Sequence, residues 1–542
     1  MATNAACVLD CLAAQDAEAA GDGAASSRWQ LAANIRQEIV DVLGAKVRQA
    51  PPEEIDNWVL VTLGEAAFGL QQFDEARHWL MASARRERPE WTRRTTATQL
   101  TALLRLMAKD PQRAVPDRLA AGRALLAEYL GHDQAALDSV LRGKIGLALS
   151  GGGFRASFFH LGVMARLAEL DLLRHVECLS CVSGGSIVGA HFYLELKKLL
   201  EDRHDVATPT EPGIAKQDYI DIVRRVQRDF LAGVQTNVRT RVAADLFANL
   251  RMIFRPSGSR TLRVGELYEE QIFARVNDDY GGQPRWLDEL LVQPKGAPGH
   301  FRPEVSNWRR FAKVPTLVLN ATTLNTGHCW QFTANWMGEA LSGVSGIDAN
   351  ARLRRVYHHD LPAAFDRVRL GHAVAASACV PGLFEPLTLR RLYRGADGED
   401  MLVRLVDGGV HDNQGVATLV DEDCAVMIVS DGSQQMDDDD RPGSSVVSAP
   451  LRSNDILQER VRTAQHAHLD SRRRGGLLRG LAFLHLKQGL DSRKVDWIDC
   501  QDPSPAAAPI RCWRMVSSGT CSGRWRACAP TWIPSPTPRP SH

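Results

Sequence analysis

The chain has 542 residues, of which 44% are hydrophobic and 24% are charged. This composition is typical of a globular protein with roughly two to four domains, and it excludes a wholly disordered or fibrous chain. The 65 lysines and arginines nearly balance the 64 aspartates and glutamates, which leaves a net charge of +1 and no basic field that would attract nucleic acid.

Targeting signals and metal motifs are not evident. The first ten residues lack the basic segment and apolar stretch of a signal peptide, and no apolar run approaches the roughly 18 residues of a transmembrane helix. The eleven cysteines are scattered and predict no metal site, which indicates a reducing compartment. The acidic residues 437–440 lack spaced ligands and predict a solvated loop. We therefore expect a cytoplasmic protein, with at most peripheral membrane contact and with neither metal nor cofactor.

Residues 1–140 form the first predicted domain, an all-α region rich in helix-forming residues. Its best-defined segment, residues 58–89, has the spacing of a tetratricopeptide repeat, with small residues where two antiparallel helices would pack closely. Residues 29–47 and 96–109 would supply neighbouring helices. Such a region would bind a protein partner, and an ordinary helical bundle is the alternative. The positions that carry the repeat pattern are Leu63, Gly64, Phe73, Ala76, Leu80 and Pro89.

Residues 141–500 form the second predicted domain, in which short apolar runs alternate with helical patterns. Residues 144–150 and 176–182 are strand-like, each is followed by a glycine-rich turn, and each turn leads into an amphipathic helix. Further strands are predicted at residues 316–320, 402–406, 425–430 and 481–486. This alternation favours an α/β fold with a mostly parallel sheet.

Residues 201–310 interrupt the alternation and predict a helical insertion over the strand ends. Within it, one apolar stripe lies beside three arginines, which would suit a helix that shapes access to the site and lies on a lipid surface. Packing of the stripe against the sheet is the alternative. The stripe consists of Tyr219, Ile222, Val223, Val226 and Phe230, and the arginines are Arg224, Arg225 and Arg228.

Residues 501–542 form an irregular tail. From residue 503 onwards the sequence has no Asp, Glu or Lys, and it holds eight of the 26 prolines. It has neither the charge of a typical disordered tail nor a helical or strand period. A shifted reading frame and a natural proline-rich tail are the two hypotheses.

Ser183 is the first candidate catalytic residue. It follows a predicted strand and precedes a predicted helix, where small neighbours allow a sharp turn that lifts the hydroxyl out of the sheet. A G-x-S-x-G elbow would have glycine at the position that Cys181 occupies. An ordinary turn is the alternative, and Ser186 is the nearest competing nucleophile.

Gly151, Gly152 and Gly153 end the preceding strand and would present bare N–H groups at a helix N-terminus. The sequence lacks the further glycine of a dinucleotide fingerprint and the Gly-Lys-Ser/Thr of a P-loop, so an oxyanion hole fits better than a phosphate site. Arg155 would add positive charge near an oxyanion or a lipid phosphate, or it would simply lie on the surface.

Asp407 ends a later strand and precedes Gly408 and Gly409. A carboxylate at a strand end reaches a site built at the carboxyl edge of a sheet. A turn-forming Asp-Gly pair is the alternative.

Taken in order, the three segments resemble the bacterial type of the patatin-like phospholipases, whose motifs are G-G-G-x-R, G-x-S-x-G and D-G-A/G. Residues 320–327 and 373–386 also resemble that family, and the likeness covers roughly residues 144–435. It implies a three-layer α/β/α sandwich and lipid acyl hydrolysis through an acyl-serine, with lipid or phospholipid as the substrate.

The resemblance also implies a role for each motif residue. Ser183 would be the nucleophile and Asp407 the base of a Ser–Asp dyad. The other residues are the oxyanion-hole set Gly151, Gly152, Gly153, Phe154 and Arg155, the elbow set Cys181, Val182, Gly184 and Gly185, and the Asp-motif set Gly408 and Gly409.

Two rival functions remain open. An α/β-hydrolase with a Ser-His-Asp triad would take its histidine from His466, His468 or His485. A non-enzymatic scaffold would combine the helical repeats with a degenerate hydrolase domain. His160 and His411 lie inside the motifs, where we expect packing or capping roles.

Overall fold

The computed structural model describes residues 2–488, with gaps at 20–21, 51–53, 88, 236–258, 341–351, 396, 434–435, 437–438 and 446–447. Contacts divide the chain into two units, Met1–Leu486 and Lys487–His542, and the second is described only at Lys487 and Gln488. The predicted tail 501–542 and half of the acidic run therefore lie outside the described residues. None of the described helices is long and apolar enough to cross a membrane.

The N-terminal region is helical, as the sequence predicts. The helical hairpin of residues 57–84 packs closely because Gly64 has no side chain where Leu80 lies, and a Cβ atom there would come within 2.7 Å of the Leu80 side chain. Its assignment as a tetratricopeptide repeat stays a prediction. The helices are α1 (Ala2–Ala19), α2 (Asp22–Gln49), α3 (Asn57–Gly69), α4 (Phe73–Ala84), α5 (Glu90–Met107), α6 (Pro116–Tyr129) and α7 (Gln134–Arg142).

The helical region shares its core with the segment that follows it. Trp308, which is 2% exposed, belongs to the same apolar cluster as the side chains of α3 to α7. Nearby, the buried Lys313 donates from Nζ to Ser139 Oγ of α7 at 2.5 Å and to the carbonyl of Asn307 at 2.9 Å. These contacts tie the helical region to the α/β region within one unit.

The α/β region is built on one mixed sheet. Its strand order is β10-β9-β1-β2-β3-β4-β5-β6, parallel from β10 to β3 and antiparallel from β3 onwards, and β8 pairs antiparallel with β3 and β7. The strands are β1 (Ile145–Leu149), β2 (Val176–Val182), β3 (Thr316–Thr323), β4 (Cys329–Phe332), β5 (Trp336–Glu339), β6 (Val356–Tyr357), β7 (Leu387–Leu389), β8 (Val403–Asp407), β9 (Val426–Asp431) and β10 (Gly480–His485).

Helices cover both faces of this sheet and complete three layers. The α/β helices are α8 (Gly153–Glu169), α9 (Gly184–Asp202), α10 (Lys216–Gln235), α11 (Arg260–Gln271), α12 (Pro303–Ser306), α13 (Leu370–Ser377), α14 (Gly409–Asp412), α15 (Val416–Asp421) and α16 (Ser448–Arg474). Alternate strand residues enter two separate cores. One core holds the strand residues Leu147, Leu149, Leu179, Cys181 and Leu319, and the other holds Ala148, Cys178, Val318, Met427 and Val429.

This alternation also separates two cysteines that the sequence places close together. Cys178 and Cys181 have C-x-x-C spacing, but three residues apart on a strand means opposite faces of the sheet. The two thiols accordingly lie in different cores, and they do not form a shared ligand site.

The lipid-surface interpretation of the insertion stripe is wrong. All five apolar residues of the stripe on α10 are at most 2% exposed and belong to the core between α8, α9 and α10. The neighbouring arginines form ion pairs with acidic residues of the protein instead: Arg225 pairs with Glu195 at 2.8 Å and Arg228 pairs with Asp229 at 2.8 Å. The stripe is wide and continuous because α10 packs on two helices at once.

Cys181 fits at the elbow because of a glycine in the following helix. Its buried side chain occupies the space that a side chain at Gly189 of α9 would need, and a Cβ atom there would clash with the Cys181 sulfur. The missing side chain at Gly189 therefore makes room for the cysteine side chain at position 181. The spacing between β2 and α9 on either side of Ser183 is preserved.

This packing predicts a compensating pair. Gly189→Ala should lower the free energy of unfolding by about 1–3 kcal/mol through overpacking. In a Cys181→Ala background the same change should cost less than half as much, because the sulfur is gone. Urea unfolding of the four variants of this double-mutant cycle measures the difference, and equal costs in both backgrounds would contradict the packing argument.

Candidate active site

Strand β3 places the two candidate catalytic residues side by side. Its first part pairs with β2, so that Asn320 lies opposite Val182, and its last part pairs with β8, so that Ala321 lies opposite Asp407. The strands β2 and β8 therefore meet end to end along the same edge of β3. Ser183, one residue beyond β2, and Asp407, the last residue of β8, come together at this junction.

Ser183 has the backbone of a sharp strand-to-helix turn. Its φ of +50° and ψ of −114° are rarely adopted by a residue with a side chain, and such strain is typical of functional positions. The turn also puts Ser183 at the N-terminus of α9, where the helix dipole favours negative charge. Gly184 makes the turn feasible because its α-carbon faces the Gly153 carbonyl too closely for any side chain.

Ser377 holds this turn from the opposite side, and sequence reasoning did not single it out. Its hydroxyl accepts the Ser183 N–H at 3.0 Å and donates to the Asn320 carbonyl at 2.6 Å. The Ser186 hydroxyl oxygen lies 2.8 Å from the Ser377 hydroxyl oxygen, so Ser186 is hydrogen-bonded to Ser377 below the turn. Ser377 falls within the Ala/Ser-rich segment 373–386, but spacing alone gave no reason to choose it among its neighbours.

The glycine turn between β1 and α8 lies against the serine turn. Gly152 and Gly153 have φ values of +128° and +65°, which favour glycine. The Gly151 N–H donates to the Asn413 carbonyl at 2.9 Å. The N–H groups of Gly152 and Gly153 donate to no other described residue, and both residues line the same cavity as Ser183.

The side chains of Phe154 and Arg155 point to different surroundings. Phe154 packs edge to face on Phe230 of α10, with ring centroids 6.1 Å apart, so only its backbone is available to an oxyanion. Arg155 is exposed and lines the same cavity as Ser183.

Asp407 has a buried carboxyl group, and burial makes its charged form unfavourable. Its Oδ1 accepts the Gly409 N–H at 2.7 Å, and Thr322 donates to its backbone carbonyl at 3.0 Å. Burial raises the pKa of Asp407 to about 6, although the Gly409 N–H and the neighbouring Ser183 hydroxyl each lower it. Oδ2 is buried and accepts no well-aligned hydrogen bond from the described residues. The arrangement leaves a proton acceptor beside the serine.

A cavity of about 890 Å³ opens above these residues. Its floor is formed by the glycine turn, Ser183 and Asp407. Residues 201–235 and 259–310 of the predicted insertion do not line this cavity. Because residues 236–258 lie outside the described residues, the expectation that the insertion shapes access to the site stays a prediction. The walls are formed by Val380, Pro381, Val410, Asn413, Gln414, Ser433, Met436 and six polar residues of α16, namely Arg452, Asn454, Asp455, Gln458, Glu459 and Arg462.

Histidines do not line this cavity in the described part of the chain. His466 and His485 border a separate recess beside Phe483, and His468 is exposed. His160 has a structural position beneath the glycine turn, with Nδ1 2.7 Å from Ser430 Oγ and Nε2 2.9 Å from the Ser150 carbonyl. Burial lowers the pKa of His160 to about 4, so it is neutral at physiological pH. Among the residues that the structure describes, no histidine of this cavity could complete a Ser-His-Asp triad.

A comparison with protein-family models finds a match within the α/β region. Residues 147–269 match the patatin-like phospholipase family. The matched segment includes the glycine turn and Ser183, and it ends before Asp407. The family resemblance predicted from the motifs is thus confirmed over this segment, together with the α/β class, and it supports a lipid acyl hydrolase in general terms. A search of the curated proteins found no match.

The burial of Asp407 predicts a pH-dependent effect on stability. Because its folded pKa lies above its ordinary value of 3.8, folding is progressively disfavoured as pH rises from about 4 to about 6, and the penalty persists above that range. Asp407→Asn removes the charge, so it should stabilise the protein at pH 8, by up to about 3 kcal/mol.

Thermal unfolding across pH measures this effect. The melting temperature of Asp407→Asn should exceed that of the wild type at pH 8, and the gain should disappear near pH 4. A gain or loss that does not change with pH would mean that the carboxyl does not titrate in this range.

Proposed function

We propose that this protein is a serine lipid acyl hydrolase that works through a Ser183–Asp407 dyad. The observation that carries the proposal is the meeting of β2 and β8 along β3, which puts a strained serine beside a buried carboxyl. Gly152 and Gly153, whose N–H groups donate to no described residue, line the same cavity. Nucleophile, proton acceptor and oxyanion donors are the three groups that acyl transfer from an ester requires.

The reaction proceeds in two halves. Asp407 takes the proton of the Ser183 hydroxyl as the serine oxygen attacks the ester carbonyl, and the glycine N–H groups stabilise the oxyanion. The intermediate collapses to an acyl-serine, and the departing alkoxide takes the proton from Asp407. Water then loses a proton to Asp407 and attacks the acyl-serine, and the collapse of the second intermediate returns the proton to Ser183 and releases a fatty acid.

Burial makes a lone carboxyl suitable as this base. A carboxylate with the usual pKa of about 4 is a weak acceptor for a serine proton, whereas a pKa near 6 lies closer to working pH. The charged form of Asp407 still predominates at neutral pH, so the carboxylate can accept the serine proton. Asp407 and the serine turn thus substitute for the histidine that a triad would use.

The nucleophile can be tested by a single substitution. Ser183→Ala should lower hydrolysis of a p-nitrophenyl ester by at least about 10³-fold, because the covalent route is lost, and it should abolish labelling by a fluorophosphonate probe. Ser186→Ala is the matched control and should retain labelling. Full labelling of the Ser183 variant would assign the nucleophile to another serine.

The base can be tested by its titration. The kcat/KM of the wild type should rise with pH with a midpoint of about 6, since only the charged Asp407 accepts a proton. Asp407→Asn should lower kcat/KM by at least about 10²-fold, whereas His466→Ala and His485→Ala should stay within about threefold of the wild type. A histidine variant as inactive as Asp407→Asn would restore the triad hypothesis.

We also propose that the helical region of this enzyme binds a protein partner. Trp58 and Trp91 are each about half exposed, and their ring centroids are 6.3 Å apart, which is a surface typical of binding sites.

We propose a cytoplasmic location, since the cysteines of the described part of the chain are free thiols. A purely scaffolding protein would show neither ester hydrolysis nor probe labelling, so the Ser183→Ala comparison separates the two functions.

A further inference from the structure

Helix α16 lies over the active-site cavity with its polar side inward. Six residues of its N-terminal half line the cavity, all of them polar or charged. Arg462 fixes this side, because its Nε donates to Asp431 Oδ2 at 2.7 Å. Leu469 is the one fully buried apolar side chain among the described side chains of the helix. An ordinary surface helix buries its apolar stripe and exposes its polar side, and α16 shows the reverse arrangement.

The outer face of α16 is correspondingly apolar. At 3.6 residues per turn, the positions opposite the cavity form one side of the helix. Three of them are large aliphatic residues, and their exposures are 43% for Ile456, 59% for Leu457 and 38% for Val461. Between residues 453 and 468, Arg460 is the one formally charged residue of this face, and this stretch of the face carries no carboxylate. The outer face consists of Ser453, Ile456, Leu457, Arg460, Val461, Ala464, Ala467 and His468.

Further apolar side chains are exposed at the mouth of the same cavity. Val380 and Val410 line it and are 41% and 45% exposed. Leu383 follows Val380 in a tight turn, in which its N–H donates to the Val380 carbonyl at 3.1 Å, and it is 66% exposed. These three residues and the aliphatic residues of the outer face belong to none of the apolar clusters of the described residues.

We propose that the outer face of α16, together with Val380, Leu383 and Val410, binds a lipid surface and presents lipid molecules to Ser183. The choice of a lipid surface as the occupant rests on the proposed function, since a phospholipid substrate must leave an aggregate to reach this cavity. Exposed aliphatic residues on a helix face without carboxylates suit insertion at the level of the lipid head groups. The polar inner side of α16 then meets the head group as the acyl ester approaches Ser183.

The composition of the face also sets the kind of membrane attraction. With one arginine and three large aliphatic residues, binding depends chiefly on apolar contact and only weakly on lipid charge. The protein should therefore bind vesicles of phosphatidylcholine, and its binding should change little when salt is raised. The buried stripe of α10 makes no contribution.

The test compares two triple variants of the full chain. The first is Ile456→Ser, Leu457→Ser and Val461→Ser on α16. The matched control is Val8→Ser, Leu31→Ser and Val42→Ser, which removes aliphatic residues of similar exposure, 56%, 50% and 48%, from α1 and α2. Flotation with phosphatidylcholine vesicles measures binding, hydrolysis of the vesicle lipid measures interfacial activity, and hydrolysis of p-nitrophenyl butyrate measures the active site without a surface.

The α16 variant should bind vesicles and hydrolyse their lipid at least about tenfold less than the wild type, while its activity on p-nitrophenyl butyrate stays within about twofold. The control variant should match the wild type in all three measurements. Equal flotation of the two variants would overturn the proposal, and so would a wild type that fails to float, which would assign the surface to a protein partner.

Loss of p-nitrophenyl butyrate activity in the α16 variant alone would likewise overturn it, because the face would then support the active site itself. A wild type that floats through α16 but hydrolyses neither substrate would leave the surface in place and refute the proposed function instead.

Discussion

The pairing of β3 with two different strands along one edge is the constraint on which the site depends. Asn320 faces the end of β2 and Ala321 faces the end of β8, so the two strand ends are separated by one residue step of β3. Side chains from β3 hold the junction, since Asn320 Nδ2 donates to the Cys181 carbonyl at 3.0 Å and Thr322 donates to the Asp407 carbonyl at 3.0 Å. The relative position of serine and carboxyl is therefore a property of the sheet.

The same junction explains why burial raises the pKa of Asp407. A carboxyl at the meeting of two strand ends is surrounded by backbone, and its remaining partners are few. The Gly409 N–H offsets part of the cost of the charge, and burial still leaves the pKa of Asp407 near 6. The residue that we propose as the base is thus also one that weakens the fold at neutral pH, which is the usual trade between activity and stability.

The sequence was informative where a local signal and the fold agreed. The parallel strands β1, β2 and β9 were predicted to within about a residue, because buried parallel strands are continuous apolar runs. The antiparallel strands β4 and β5 were missed, since Cys329–Phe332 and Trp336–Glu339 are four residues long and show no usable period. Ser377 was missed for another reason. Its role comes from a contact with Ser183 across 194 positions of the chain, and no local pattern encodes such a contact.

Helices α10 and α16 show why amphipathic patterns were least informative. The stripe of α10 has the composition of a lipid-binding face and is buried against two helices. The polar helix α16 carries fewer apolar residues and leaves Ile456, Leu457 and Val461 exposed. A hydrophobic period shows only that a helix has two sides, and the layer packed against it decides which side meets protein. For α10 that layer is apolar. For α16 that layer is the polar cavity above Ser183 and Asp407, so the exposed aliphatic residues of α16 are available to the surface onto which the cavity opens.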